Sequence, residues 1–332
     1  MVKIVFIFIF IFIFIFVFIF YISVDEIHDF GWLTMRIGID LGGTKIECIV
    51  LDDAGVMFCQ RTNTPQGDYR GTLEAIVQLV NSAEQKFDQW MTVGIGTPGA
   101  ISPTTGLLRN SNSVCLNNNP LLQDLEQALN REVRLANDAD CFALSEAVDG
   151  AGADLKTVFG AIVGTGVGAG IVINQRLLSG PNAIAGEWGH NPVPWLDQVK
   201  TSRDCYCGKQ DCVESYLSGS GLEKNYWHLS GQVLHSPDIV TLALKQDVLA
   251  EQALVEYEDN MAKSLAQIIN ILDPDVIVLG GGMSNIDRLY VNVPNQWAQY
   301  VFSDQVSTVL CRAKYGDSSG VRGAAWLWPA IH

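Results

Sequence analysis

Two glycine-rich turns carry the most legible chemistry in this chain. Asp40-Leu41-Gly42-Gly43-Thr44-Lys45 interrupts strand-forming residues at 37–40 and 46–50, and Gly164-Thr165-Gly166-Val167-Gly168 interrupts those at 160–163 and 170–173. Glycine has no Cβ, so backbone amides can come close to a phosphate. Two copies of one hairpin, each with such a turn, indicate a duplicated domain gripping a polyphosphate from both sides, the layout of an ATP-dependent transferase. Asp40 ends an otherwise buried strand, where a carboxylate suits Mg²⁺ held through water, with Thr44, Lys45 and the turn amides facing the phosphates. Taken alone, the first motif is equally an ordinary Gly-Gly hairpin turn. The second also matches G-x-G-x-x-A at Gly164, Gly166 and Ala169, but it runs into a strand where a dinucleotide-binding loop must open a helix, and the chain has no P-loop pattern.

His190, Cys205, Cys207 and Cys212 combine three thiols in a C-x-C-x-x-x-x-C arrangement with one imidazole, a set that fits closed tetrahedral zinc. Four protein ligands leave no open position, so the expected zinc is structural and ties down the 190–212 loop. Asn137-Asp138 falls between a predicted strand and helix. It is an N-cap on that ground and a candidate general base beside the phosphate turns. Glu187, His190 and Glu214 bracket the zinc loop with groups suited to sugar hydroxyls, although Glu187 is equally a solvated loop residue. Gly280-Gly281-Gly282 and Gly316-Asp317-Ser318-Ser319-Gly320 are candidate adenosine-side loops, or plain caps and turns.

The elements that position these residues alternate. A third strand is expected near 56–61, a helix capped by Asp68, a buried strand at 93–96, helices over 120–129 and 138–148, and a strand over 133–136. Residues 149–155 break the periodicity as a hinge. The second half repeats strand, glycine turn and strand, turns at Asn174-Gln175, becomes helical from 213 with its longest helix over 247–272, and places a buried strand at 275–279. The expected domains are 35–150, with the first phosphate turn and Asp138, and 151–332, with the second turn, the zinc loop and the adenosine loops, its last helix packing back on the first domain.

Charged residues make up 17% of the 332 and the net charge is −15, which argues against nucleic acid and anionic membranes as partners. Dispersed single cysteines (Cys48, Cys59, Cys115, Cys141, Cys311) suit a reduced, cytoplasmic setting. Ile4 to Ile22 is an unbroken apolar run, mostly alternating Ile and Phe, and just long enough to span a bilayer. Its flanks, Lys3 before and Asp25, Glu26 and Asp29 after, would export the downstream domain, so residues 1–34 are read as a low-complexity leader outside the fold, with Met35 at a natural start. A membrane anchor ranks second and a signal peptide third.

Together these residues resemble the ROK family of sugar kinases, related to hexokinase and actin. The resemblance runs from Val163 through Gly166-Val167-Gly168, Gly170, Gly180 and Gly186 to Gly189-His190, with Asn137-Asp138-Ala139, Gly186-Glu187-Trp188-Gly189-His190 and Cys205-Tyr206-Cys207-Gly208 beside it. It covers Met35 to Pro329 and looks nearest to the bacterial fructokinase/mannokinase branch at 134–139, 145–150 and 316–323. It implies a two-domain α/β fold of the hexokinase/actin-like, ribonuclease H-like type with a zinc loop. The implied activity is Mg-ATP-dependent phosphorylation of the 6-hydroxyl of D-fructose, with mannose and glucose as further substrates. By the same resemblance Asp138 is the base, Asn137, Glu187, His190 and Glu214 meet the sugar, the two turns hold the ATP phosphates, and Gly281 and Gly282 lie at the adenosine. The alternatives are an N-acetylglucosamine kinase, which Trp188 argues against by family association, and a non-catalytic sugar sensor. A homodimer stays open, since the family is often dimeric. Two residues depart from the family pattern: Asp211 replaces a usual glycine and Asp140 a usual asparagine.

Overall fold

The computed structural model describes residues 35–196 and 202–329, so the Ile-Phe leader lies outside the described residues. Within them the chain builds the same sheet twice. In the first, β1 (Arg36–Leu41), β2 (Lys45–Asp52), β3 (Gly55–Asn63), β4 (Thr92–Thr97) and β7 (Val133–Asn137) stand in the order β3-β2-β1-β4-β7. In the second, β8 (Thr157–Val163), β9 (Val167–Ile173), β10 (Arg176–Leu177), β11 (Val276–Gly280) and β12 (Val309–Arg312) stand in the order β10-β9-β8-β11-β12. Each sheet opens with an antiparallel hairpin around its glycine turn and continues with parallel strands on the other side. The hairpins have alternating or continuous apolar residues because one or both faces are covered. A short hairpin, β5 (Ala100–Ile101) with β6 (Leu108–Arg109), follows β4.

On the first sheet, α1 (Tyr69–Phe87) buries Ile76, Leu79, Val80 and Ala83, and it starts where Asp68 accepts from Gly71 N at 3.0 Å. That cap satisfies one of the free amides of the first turn. On the second, α7 (Val248–Leu272) presents Tyr257, Met261, Leu265 and Ile269 to the core that also holds Phe159, Trp188 and Leu279. The shorter helices α2 (Leu121–Leu129), α4 (Glu214–Leu217), α5 (Gly219–Ser230), α6 (Ser236–Leu244) and α8 (Leu289–Trp297) complete the layers. The Asn174-Gln175 turn has both residues at positive φ (50° and 60°), as a tight two-residue hairpin requires.

Two helices join the halves. Helix α3 (Asp138–Val148) leaves the first sheet at the end of β7 and buries Phe142, Ala143 and Leu144 with Val158, Val172 and Val278 of the second. Helix α9 (Ser319–Trp326) returns from the second half and packs Val321 and Ala325 with Ile49 and Leu51 of the first. The two helices cross so closely that a Cβ on Gly323 would stand 1.6 Å from the Cys141 carbonyl oxygen, so only glycine fits. Residues 149–155, expected as a hinge, are strapped at this crossing. The fully buried Glu146 accepts from Ala151 N (2.8 Å), Lys314 N (3.0 Å) and Ser319 Oγ (2.7 Å), and Tyr315 donates to the Asp149 carbonyl at 3.0 Å. Among the described residues no helix is long and apolar enough to cross a membrane.

Candidate active site

Asp40 and Asn137-Asp138 share one rim of the first sheet. Asp40 is paired with Gly96 on β4, and Thr97 with Asn137 on β7, so both lie at the carboxyl ends of parallel strands, where open α/β sheets collect ligands. Asn137 is the N-cap of α3: its side-chain oxygen accepts from Ala139 N at 2.9 Å while its amide donates to the Gly99 carbonyl at 3.0 Å. The capping reading of Asn137 is therefore correct, and capping fixes the residue that follows. Asp138 opens the helix with Oδ1 accepting from Ala139 N at 2.8 Å. It is open to water, yet the surrounding protein removes enough solvent to raise its carboxyl above 3.8. The Ala139 amide opposes that rise and Glu187 adds to it.

Two more carboxylates crowd this rim. Burial, then Asp138 and Glu47, push Asp40 up to about 6, against a lowering pull from Lys45. Burial, then Asp138 and Glu187, push Asp140 up to about 7. The site thus concentrates negative charge that a bound cation or hydroxyl donors would relieve. The first glycine turn is held from behind. Thr64 donates through Oγ1 to the Gly42 carbonyl (2.7 Å) and through N to that of Thr44 (3.0 Å), and Gln66 donates to that of Gly43. Lys45, Thr44 and Gly43 are exposed.

The second turn occupies the matching rim of the second sheet. Gly164 N donates to the Gly166 carbonyl at 2.9 Å, and Gly281, at φ 79°, lies where a Cβ would meet the Val163 carbonyl oxygen at 2.5 Å. Gly164, Thr165 and Gly282 border a cavity of about 670 Å³ whose other walls include Gly219, Glu223 and Met283. One glycine expected at the phosphates, Gly164, and one expected at the adenosine, Gly282, thus border one cavity. Glu214, assigned to the sugar, accepts from Val167 N at 2.9 Å and so braces this turn.

The 186–190 loop lies directly on β9. Gly186 has φ 87° and a Cβ there would stand 2.0 Å from the Ala169 carbonyl oxygen, a position open only to glycine. Trp188 points inward: it is buried edge-on to Phe159 and donates through Nε1 to the Gly168 carbonyl at 3.1 Å. This leaves Glu187 exposed, close enough to Asp138 and Asp140 to raise both.

The ligand atoms of His190, Cys205, Cys207 and Cys212 all lie within 4.8 Å of one another. His190 Nδ1 is 3.7 Å from Cys205 Sγ, and Cys207 Sγ is 3.6 Å from Cys212 Sγ. Tetrahedral zinc with ~2.3 Å Zn–S bonds needs ligand atoms about 3.8 Å apart, so the donor set fits. Nε2 of His190 is 3.1 Å from the Tyr206 hydroxyl. Asp211 takes the left-handed conformation (φ 58°) that suits the family's usual glycine, and its side chain adds a lock. It accepts from Ser202 Oγ (2.7 Å), Arg203 N (2.8 Å) and Tyr216 Oη (2.7 Å), with Arg203 stacked over the Tyr216 ring.

Sequence reasoning missed Thr64 and Gln66 behind the first turn, Tyr206 at His190, and Arg109, whose guanidinium donates to the Asn182 carbonyl (3.0 Å) from the other half of the chain. Thr64, Gln66 and Arg109 belong to no motif, Tyr206 lies within the cysteine motif without being a metal-ligand type, and each acts by a contact distant in sequence or by a side chain within a loop.

Known proteins match this chain over most of its length. The profile described as ROK family matches residues 36–331. An N-acetyl-D-glucosamine kinase of Pasteurella multocida is 40% identical over 301 residues, spanning 89% of this chain and 99% of its own. Among solved structures, a ROK hexokinase from Thermus thermophilus superposes with TM-score 0.79 at 28% identity, covering 88% of this chain and 96% of that one. A ROK family glucokinase from Streptomyces griseus in complex with glucose and AMPPNP superposes with TM-score 0.68 at 25% identity, covering 88% and 98%.

Proposed function

The chain belongs to the ROK family, and on that footing we propose that this sugar kinase phosphorylates the 6-hydroxyl of N-acetyl-D-glucosamine from Mg-ATP. The observation that carries the substrate is the 40% identity to an N-acetyl-D-glucosamine kinase over 99% of that protein's length. The fructose preference expected from short stretches of sequence gives way to it. The one residue that spoke against a hexosamine, Trp188, is packed into the core edge-on to Phe159.

In this reading Asp138 accepts the proton of the 6-hydroxyl as that oxygen attacks the γ-phosphorus. Burial, with Glu187 beside it, raises its carboxyl above the ordinary aspartate value, which makes it a better base than an unperturbed aspartate. Asn137 holds it at the helix start, and Glu187 and His190 flank the sugar. The two glycine turns offer amides to the phosphates, the cavity beside Gly282 receives the adenosine, and Asp40 meets the magnesium that accompanies ATP. Since phosphoryl transfer asks little covalent work of the protein, positioning and charge stabilisation supply most of the rate. Closure of residues 35–150 on 151–332 excludes water that would otherwise take the phosphoryl group. A structural zinc on His190, Cys205, Cys207 and Cys212 holds the loop that carries the sugar residues.

The test is Asp138→Asn. The reading expects sugar binding, measured by calorimetry, to persist while kcat falls by about two or more orders of magnitude. Normal turnover in this variant would remove Asp138 as base.

A further inference from the structure

A second cavity, of about 1110 Å³, lies at the opposite edge of both sheets from the glycine turns. It is walled by the β2–β3 turn at Asp52–Gly55, by the β9–β10 turn at Asn174–Gln175 with Arg176, by Arg134 of β7, and by Lys314, Arg322 and Trp326 of the returning C-terminal segment. Both hairpins thus put a phosphate turn at one end and a wall of this cavity at the other. We infer that this cavity is a binding site for a sugar phosphate, separate from the catalytic cleft.

The charge balance carries the phosphate. Four of the cations of a chain with net charge −15 converge here, and the carboxylates present are largely spoken for. Asp53 pairs with the buried Arg36 at 3.2 Å, Asp52 caps its own turn through Ala54 N and Gly55 N, and Asp149 pairs with Arg322. Lys314 Nζ meets neutral groups, the Asp149 carbonyl (2.8 Å) and the Tyr315 ring (5.1 Å), Arg134 lies over Trp328, donates to the Leu327 carbonyl (2.7 Å) and pairs at 3.5 Å with the exposed Glu132, and the Arg176 side chain is exposed. Three side-chain atoms on residues lining the cavity, Arg322 Nε, Trp326 Nε1 and Asp149 Oδ1, are buried without a hydrogen-bond partner among the described residues. Arg322 itself is only 7% exposed. Two of the three, Arg322 Nε and Trp326 Nε1, are donors; buried unpaired donors are uncommon in folded proteins and favour a ligand that supplies acceptors. Guanidinium forks match phosphate oxygens. The side chains of Asn174, Gln175 and Asp52, together with Asp149 Oδ1, offer hydroxyl partners, which fits a phosphorylated polyol better than a bare anion.

A ligand here would also reach the chemistry. Leu144, Val148 and Asp149 of the wall belong to or directly follow α3, whose first residue is Asp138, roughly 15 Å away along the helix axis. Because both halves contribute walls, occupancy biases their relative arrangement.

The sugar-kinase reading enters only in the choice of ligands used to fill the cleft. Calorimetry on the full chain would first titrate N-acetylglucosamine and AMPPNP, which reports that reading by itself. Glucose 6-phosphate and, separately, inorganic phosphate would then be titrated into the saturated protein. One glucose 6-phosphate per chain is expected to bind, more tightly than inorganic phosphate. Affinity should fall about tenfold or more in Arg176→Glu and in Lys314→Gln, with kcat in the absence of the probe unchanged. No heat after saturation, equal affinity for inorganic phosphate, or equal affinity in both variants would each overturn the assignment.

Discussion

Replacing Asp140 by asparagine should stabilise the folded chain above neutral pH. Burial, then Asp138 and Glu187, push this carboxyl from 3.8 to about 7. At ~1.4 kcal/mol per pKa unit, a rise from 3.8 to about 7 means that keeping Asp140 charged costs the fold roughly 4 kcal/mol at high pH. Between those two values the folded chain holds a proton that the unfolded chain has released. The contribution of this group to stability is therefore most favourable below pH 3.8 and is lost as pH rises through about 7. Asparagine copies the shape of the protonated acid and cannot charge. The gain from Asp140→Asn should accordingly be largest at about pH 8 and shrink towards zero near about pH 4. Urea unfolding of both proteins across that range measures it directly. A variant that is less stable than wild type at about pH 8, or a gain that does not vary with pH, would refute the electrostatic account of this rim.

The helix crossing and the loop carrying His190, Cys205, Cys207 and Cys212 yield further expectations. Glu146→Ala leaves two backbone amides and the Ser319 hydroxyl buried without their acceptor, and should cost roughly 3–5 kcal/mol in denaturant unfolding, with Glu146→Gln losing less. Removing zinc with a chelator should raise KM for the sugar before the protein unfolds. Steady-state kinetics with parallel circular dichroism and metal analysis would follow both changes, because Asp211, Arg203 and Tyr216 still hold part of that loop.

Much of this architecture was legible in the sequence because it rests on local signals. The glycine turns stand where hairpins turn back, Asp68 caps its helix as expected, and the four zinc-type ligands converge as their spacing indicates. Asn137-Asp138 is the instructive case. Local pattern identified a cap, and the structure makes the cap the device that fixes the neighbouring acid. What stayed hidden depends on contacts between distant segments. The strapping of 149–155 needs Lys314 and Ser319, and the inward turn of Trp188 is decided by Phe159 and Gly168. Tyr206, lying inside the cysteine motif, was passed over because a tyrosine there carries no metal-ligand signal, yet its hydroxyl meets His190. Sugar choice was the least legible feature, since near-isosteric hexoses differ by one substituent and Trp188, counted against a hexosamine, is buried in the core.

The most direct test of the central claim is kcat/KM of the full chain with Mg-ATP for N-acetylglucosamine, fructose, mannose and glucose, read as ADP release. N-acetylglucosamine should lead the series. Turnover led by fructose would contradict the substrate proposed here, and silence on all four by folded, zinc-loaded protein would contradict the assignment as a kinase of these sugars.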